Sequence, residues 1–575
     1  MSIHHSPGAG DLLRVENLRV SFGDHEHQRS VVKGVSFSLA PGKCLAIVGE
    51  SGSGKSVTAR TLVGLTGGRS HVWADRLEFD GRGLLGLSDR QWRAIRGKDI
   101  GFILQDALVS LDQLRPVGKE IEEALRLHGW GTRASRHERA VELLELVGVP
   151  EPEVRARQRP YELSGGLRQR ALIASALSLD PKLVIADEPT TALDVTVQAQ
   201  VLDQLEATKR RGKALILISH DLAVVSRLAD TVAVMSDGEI LEYGPARELF
   251  NRPKHEYTQA LIDAIPSAES RGARLSPVSR RVALGQSKPF QRSATPVLQA
   301  EQLTKRFRGP DGVHRTVVDE VSFTLEQGET LGIVGESGSG KTTTARLALA
   351  LAEPDGGEVR LAGERWTGLP ERGRRERRRQ ITVVYQDPLS SFDPRWSVEQ
   401  VLLDSLSRDE HPSAPRRRAR IRELLELVGL EQEHLTRRPL QLSGGQRQRV
   451  AIARALGPEP RVIVCDEPVS ALDVSIQAQV LDLLSDLQSE LGVSYLFISH
   501  DLGVIHHISD RVLVMSEGKV VEHGSADDVL IRPQHPYTQS LVASLPALER
   551  PAAAEYTPAP VPAPRSKPAI PVPVA

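Results

Sequence analysis

The 575-residue sequence predicts an α/β fold written twice, in two tandem units that each hold a mainly parallel sheet core and a helical subdomain. Internal repetition is the first reason. LSGGLRQRALIASAL at 163–177 returns as LSGGQRQRVAIARAL at 442–456. GESGSGKS (49–56), VIADEP (184–189), ISHDL (218–222) and YTQ (257–259) return in the same order as GESGSGKT (335–342), VIVCDEP (462–468), ISHDL (498–502) and YTQ (537–539). Such ordered pairs mean duplication, and two copies at this spacing mean two large domains, not a solenoid. The second reason is the near-continuous apolar character of KLVIAD, RVIVCD, ALILIS and SYLFIS. Runs of this kind fit parallel strands covered on both faces. The third is that CLAIVG and TLGIVG each lead into a Gly-rich loop and then a helical segment.

The remaining elements follow from local chemistry. VAVMSDGEILEYG (232–244) and VLVMSEGKVVEHG (512–524) read as hairpins around DG and EG turns. SRHERAVELLELVGV (135–149) has apolar residues at helical spacing, with Gly148 placed to end the helix. The length suggests about four compact units, which matches two cores and two helical subdomains. Residues 1–265 form the first unit and 297–548 the second. The stretch 266–296, rich in Ser, Arg, Pro and Gly, reads as a linker. Residues 549–575 are dominated by Pro and Ala and read as a disordered tail.

Composition narrows the function classes. Apolar content of 40% and charged content of 26% are ordinary for a globular protein. A net charge of −1 gives no basic field, so nucleic acid is not an expected partner. The two cysteines, Cys44 and Cys465, form no CxxC pair and suit a reducing compartment. The start of the chain does not read as a signal peptide, and no run of about 18 apolar residues could span a bilayer. Any membrane role is expected to come through a partner.

The repeated phrases carry chemistry. Residues 49–56 fit G-x-x-x-x-G-K-[ST]. Glycines let successive N–H groups curl around a polyphosphate, and the following helix offers its N-terminus to the anion. The phosphate set is Gly49, Glu50, Ser51, Gly52, Ser53, Gly54, Lys55, Ser56 and Val57, repeated as Gly335, Glu336, Ser337, Gly338, Ser339, Gly340, Lys341, Thr342 and Thr343. Lys55 and Lys341 can reach the β- and γ-phosphates, and the Ser56 and Thr342 hydroxyls can ligate Mg²⁺. Asp187 and Asp466 end apolar strands, where open α/β sheets bind ligands, and are assigned to Mg²⁺. Glu188 and Glu467 are then placed to activate the attacking water, and His220 and His500 end the next strands. A lone histidine is more often structural, so the repetition of this one carries its assignment. Ser164, Gly165 and Gly166, like Ser443, Gly444, Gly445 and Gln446, open a second anion-binding helix. With the copies packed head to tail as an internal pseudo-dimer, each such loop would cap the nucleotide held by the other.

These motifs together resemble the nucleotide-binding domains of the ABC (ATP-binding cassette) superfamily, over nearly all of both halves. The resemblance implies two P-loop NTPase cassettes, each an α/β core with an antiparallel β-subdomain and a helical subdomain, binding ATP and Mg²⁺ and hydrolysing ATP. It makes Gln105 and Gln386 the Q-loop glutamines, which in the family sense Mg²⁺ and contact the transmembrane partner. It makes TALD (191–194) and SALD (470–473) the D-loops, and it places Phe22 and Phe307 where an aromatic stacks on adenine, although any edge-strand Phe would look the same. RPKHEYTQALIDAIP (252–266) and RPQHPYTQSLVASLP (532–546) resemble the tail of bacterial oligopeptide, dipeptide and nickel importers. The implied role is the ATPase subunit of a peptide-type importer. It would sit peripherally on the cytoplasmic face of the cell membrane with two integral-membrane permease subunits and an extracytoplasmic solute-binding protein. Some relatives carry a cysteine cluster after this tail; the region after Pro266 has none, so no iron–sulfur cluster is expected in this chain. The alternative is a soluble twin-cassette ATPase acting on ribosomes or nucleic acid. ERGRRERRR (371–379) could suggest RNA but is read as a solvated helix or loop face. Leu167 stands where the second copy has Gln446, and LQDALVSLDQLRP lacks the proline of YQDPLSSFDP. The expectation is two competent sites of unequal rate, the Lys341 site being weaker; Leu167 is neutral if Ser164 and backbone N–H groups do the binding.

Overall fold

The computed structural model describes residues 10–24, 28–105, 110–190, 193, 195–277, 292–308, 312–406 and 413–544. The Pro/Ala-rich tail, the middle of the expected linker, most of TALD and the residues just after Gln105 lie outside the described residues.

Each half is built on a six-stranded sheet among the described residues. In the first half the order is Glu239–Pro245, Thr231–Ser236, Cys44–Val48, Ala214–Ile218, Leu183–Asp187, Ile100–Ile103. All pairs are parallel except the edge hairpin. The second half repeats it from Lys519–Ser525 through Arg511–Ser516, Thr330–Val334, Ser494–Ile498 and Val462–Asp466 to Ile381–Val384. These strands are apolar throughout because both faces are covered. Cys44, Ala46 and Val48 enter a core shared with helices, while Leu45 and Ile47 enter a core shared with a second sheet. Ile463 and Cys465 divide from Val462 and Val464 in the same way.

The second sheet is antiparallel. Leu13–Phe22 pairs with Arg29–Leu39, Ser70–Trp73 and Arg76–Phe79, and Ser293–Arg308 pairs with His314–Gln327 and Gly356–Leu361. The edge hairpins close as their DG and EG turns predict. Asp237 and Gly238 have φ of 51° and 83°, and Glu517 and Gly518 have 49° and 83°. Positive φ at both turn positions matches the right-handed twist of the strands. The helical subdomains carry Val117–Leu127 with Arg133–Leu146, and Val398–Ser405 with Ala414–Leu427. Gly148 and Gly429, at φ 75° and 67°, follow the longer helix of each pair.

The run at 371–379, expected to be a solvated face, is exposed at Glu371, Arg372, Gly373, Arg375, Glu376 and Arg379, while Arg374, Arg377 and Arg378 turn inward. Arg374 is buried and pairs with Glu353 at 2.6 Å. Arg378 donates to the Leu349 and Ala350 carbonyls at 2.6 and 3.3 Å, and its guanidinium lies 5.3 Å from the Trp366 ring centre. Helix Lys341–Ala348 ends there with carbonyls that need donors, and the arginine supplies them. Arg96 does the same in the first half, donating to Val63 and Gly64 at 2.7 Å.

The stretch following Pro266 is docked on the second half. Asp482, itself 3% exposed, accepts the Leu275 and Ser276 N–H groups at 3.0 Å each. Arg271 donates to Asp527 and Ser509, and Arg274 to Asp486. Leu275 is buried in the second half's core.

Candidate functional site

Each Gly-rich loop leaves a central strand and turns sharply into a helix. Gly49, Gly52 and Gly54 have φ of 144°, 85° and 100°, and Gly335, Gly338 and Gly340 have 148°, 85° and 101°. A Cβ on Gly49 would stand 2.0 Å from the Met235 carbonyl oxygen, and one on Gly335 2.1 Å from that of Met515. The loop therefore takes turns at positive φ that favour glycine, and at Gly49 and Gly335 it packs too closely on the neighbouring strand for any side chain. Ser51, Gly52, Ser337 and Gly338 are exposed at its lip, whereas Ser53, Lys55, Ser339 and Lys341 are buried. Lys55 Nζ donates to the Gly49 and Glu50 carbonyls at 2.7 Å each, and Lys341 repeats this at Gly335 and Glu336. Burial lowers the Lys55 pKa, against the raising effect of Glu188, Asp473, Asp187 and Glu50.

The carboxylates meet the loop from the next strands. Ser56 Oγ donates to Asp187 Oδ1 at 2.9 Å, and Thr342 Oγ1 to Asp466 Oδ1 at 3.3 Å. Burial raises both aspartate pKa values; the neighbouring glutamates add to this, and the hydroxyl bonds oppose it. Asp187 Oδ2 is buried without a hydrogen-bond partner. An orphaned carboxylate oxygen beside the Ser56 hydroxyl fits Mg²⁺, which takes one or two protein oxygens and leaves the rest to phosphate and water. Among the described residues no group of three or more His, Cys, Asp or Glu side chains could hold a metal by itself.

Glu188 and Glu467 both have φ of 50°, a conformation rarely adopted by such residues, fixed by N–H bonds to the Ile218 and Ile498 carbonyls at 2.9 Å. Gln105 Nε2 donates to Glu188 at 2.7 Å, and His220 Nδ1 lies 3.4 Å from its other oxygen. Gln386 and His500 stand 2.9 and 3.2 Å from Glu467. Burial depresses the His220 and His500 pKa values, but the hydrogen bond and charge of each glutamate outweigh it, so both are raised. Burial pushes Glu467 up, and the His500 bond and charge bring it below its ordinary value.

The halves touch across these loops. Ser51 N donates to Asp473 of the second half at 3.4 Å, and Thr196 Oγ1 donates to Glu336 at 2.6 Å. Ser164, Gly165, Ser443 and Gly444 are exposed at the starts of helices Gly165–Ala176 and Gly444–Leu456. Gly166 and Gly445 pack against Val197 and Ile476, and a Cβ would clash at 2.9 and 2.5 Å. Val57 is half-buried against the first-half core, and Thr343 is half-buried. Phe22 is half-buried on its strand, and Phe307 is 47% exposed.

Two residues were missed by sequence reasoning. Tyr257 Oη accepts the Glu50 N–H at 3.1 Å, and Tyr537 Oη accepts that of Glu336 at 3.1 Å. Those two amides are therefore engaged by tyrosine, whatever the rest of the loop does. The repeated YTQ was the available signal.

The comparisons with known proteins follow this geometry. The ABC transporter family model matches residues 32–191 and 318–470, and that of the oligopeptide/dipeptide transporter C-terminal region matches 241–291 and 521–568. The glutathione import ATP-binding protein GsiA of Escherichia coli (strain K12) is 43% identical over 566 residues, 94% of this chain and 90% of the relative. Its counterpart in Shigella dysenteriae serotype 1 is 43% identical over 568 residues, with the same coverage. Archaeal ribosome recycling factor aABCE1, solved in complex with stalk protein aP1, is 23% identical over 84% of this chain and 85% of that one, with a TM-score of 0.55, a likeness of fold alone. The duplicated site and these matches lead to one conclusion: the chain belongs to the ABC transporter family, as an ATP-binding and ATP-hydrolysing subunit of its oligopeptide/dipeptide branch, with two cassettes in one polypeptide.

Proposed function

We propose that the chain energises a bacterial importer of di- or oligopeptides, working with two integral-membrane permease subunits and an extracytoplasmic solute-binding protein at the cytoplasmic face of the membrane. Short peptides are the substrate class favoured by the tail family and by the relatives named for glutathione import, itself a tripeptide. The repeated cluster of Lys, Asp, Glu, Gln and His, with loop contacts crossing between the halves, supports the ATPase chemistry, and the match of both tails to the oligopeptide/dipeptide transporter C-terminal region carries the importer reading.

Lys55 and Lys341 exchange their loop carbonyls for the β- and γ-phosphates of ATP, and the inward N–H groups of each loop bind the remaining oxygens. Ser56 with Asp187, and Thr342 with Asp466, would hold Mg²⁺, which would neutralise phosphate charge, and Gln105 and Gln386, bonded to Glu188 and Glu467, would complete its surroundings. Glu188 and Glu467 polarise or deprotonate the water that attacks the γ-phosphate, each oriented by its glutamine and histidine. Ser164 and Ser443, with the glycines after them, close on the nucleotide of the opposite half. Phe22 and Phe307 take the adenine. ATP thus draws the halves together and hydrolysis releases them, a motion the permease converts to alternating access.

Membrane fractionation at moderate salt, mild detergent purification and identification of co-purifying proteins test this. Two polytopic membrane proteins are expected. Recovery with ribosomes or nucleic acid would overturn the importer role and leave the ATPase chemistry standing.

A further inference from the structure

The peptide group between Gly49 and Glu50 is held at both ends. Its carbonyl accepts Lys55 Nζ at 2.7 Å, and its N–H donates to Tyr257 Oη at 3.1 Å. The peptide between Gly335 and Glu336 is held identically, by Lys341 at 2.7 Å and Tyr537 at 3.1 Å. Both tyrosines belong to the tail that follows each cassette, 207 and 201 residues away along the chain.

The tail is fastened so that this tyrosine arrives in one place. Glu242, 8% exposed, accepts the Lys254 and His255 N–H groups at 2.9 and 3.1 Å. Glu522 accepts those of Gln534 and His535 at 2.7 and 3.1 Å. His255 and His535 then cap their helices by accepting the Tyr257 and Tyr537 N–H groups at 3.1 Å. Thr258 and Thr538, the next residues, are 1% and 0% exposed. Burial pushes the Tyr257 phenol up to about 12, the Glu50 N–H opposing, so the hydroxyl stays protonated at neutral pH.

We propose that Tyr257 and Tyr537 are positioning residues of the two nucleotide sites, holding the first peptide of each Gly-rich loop in register while the loop lysine leaves its carbonyls for phosphate. The inference rests on the reading that these loops bind ATP. Without the hydroxyl, the peptide loses its second anchor at the step where the first departs. The loop then samples orientations in which its N–H groups no longer converge, and nucleotide binds more weakly. The lysine, carboxylates, glutamine and histidine are untouched, so the bound complex turns over nearly as before.

The test uses the full chain with Tyr257→Phe, Tyr537→Phe and both together. ATPase is measured against ATP concentration, and binding of a fluorescent ATP analogue is measured in a Glu188→Gln, Glu467→Gln background. Loss of one neutral hydrogen bond predicts KM for ATP about fivefold higher in the double variant, with kcat changed by less than about twofold. Glu242→Ala with Glu522→Ala, which frees the tail but leaves the hydroxyls, is expected to reproduce the rise in KM. Phe variants whose KM stays within about 1.5-fold of the parent, or whose kcat falls while KM holds, would overturn the proposal. A parent chain that binds no ATP would overturn the underlying reading as well, so the two failures are distinguishable.

Discussion

Leu167→Gln tests whether the two nucleotide sites differ, and the structure sets the size of the effect. In the second half Gln446 closes a reciprocal cap. Its Oε1 accepts the Ser443 N–H at 3.0 Å, and its own N–H donates to Ser443 Oγ at 3.3 Å. Its Nε2 also lies 3.1 Å from His434 Nε2. Leu167 donates its N–H to Ser164 Oγ at 3.4 Å, but has no amide to return the bond, and its side chain packs on the first-half core. Of the two side-chain bonds that Leu167 lacks, the one that holds the signature serine is worth about 1 kcal/mol. If it acts only in the transition state, that is about fivefold in rate. The crossed contacts, Ser51 with Asp473 and Thr196 with Glu336, agree with a head-to-tail arrangement, in which the first signature would serve the site of Lys341 and Glu467. Glu188→Gln silences the other site, so its residual ATPase is expected to be about fivefold below that of Glu467→Gln. Adding Leu167→Gln to Glu188→Gln closes the gap, and adding Gln446→Leu to Glu467→Gln removes it from the other side. The gained bond and the lost apolar packing nearly cancel, so melting temperature moves by no more than about 4 °C. Equal steady-state rates in Glu188→Gln and Glu467→Gln refute the reasoning.

Three further outcomes are expected. Asp482→Ala leaves the Leu275 and Ser276 N–H groups buried without their acceptor, costing about 2–4 kcal/mol, and exposes residues 266–277 to limited proteolysis; an unchanged digestion pattern counts against the docked segment. Arg378→Ala frees the Leu349 and Ala350 carbonyls and the Trp366 face, lowering stability by about 1–2 kcal/mol in chemical denaturation, with no change in retention on an RNA column. The Glu467–His500 pair gives a pH signature. Glu467 is depressed, so its contribution is full above the unfolded value of about 4.3 and is lost as pH falls through the folded one. His500 is raised, so its contribution is full below about 6.5 and is lost as pH rises through the folded value. The melting-temperature gap between the parent chain and His500→Gln should therefore be widest between about pH 4.5 and 6.5 and shrink towards pH 9; a gap independent of pH contradicts the pairing.

The parts of this molecule legible in its sequence are those whose cause is local or periodic. Cys44–Val48 is apolar at every position because two cores cover it, and that pattern announces a parallel strand. Asp237–Gly238 announces its turn because both residues take positive φ. The Gly-rich loops announce their turns for the same reason, and the motifs bring Ser56 to Asp187 and Gln105 and His220 to Glu188 within reach of one another. What stayed hidden are polar groups whose partners lie far along the chain. A charge run cannot reveal that Arg378 has two helix-end carbonyls and a tryptophan waiting. Ser, Arg and Pro at 266–277 read as a linker until Asp482, Asp486 and Asp527 appear opposite. These hidden bonds share an arrangement. The first tail is fixed to its own nucleotide loop at Tyr257 and, within the stretch that begins at Pro266, to the second half. Between those anchors lie the rest of helix Glu256–Asp263 and the single turn Ala268–Ser270.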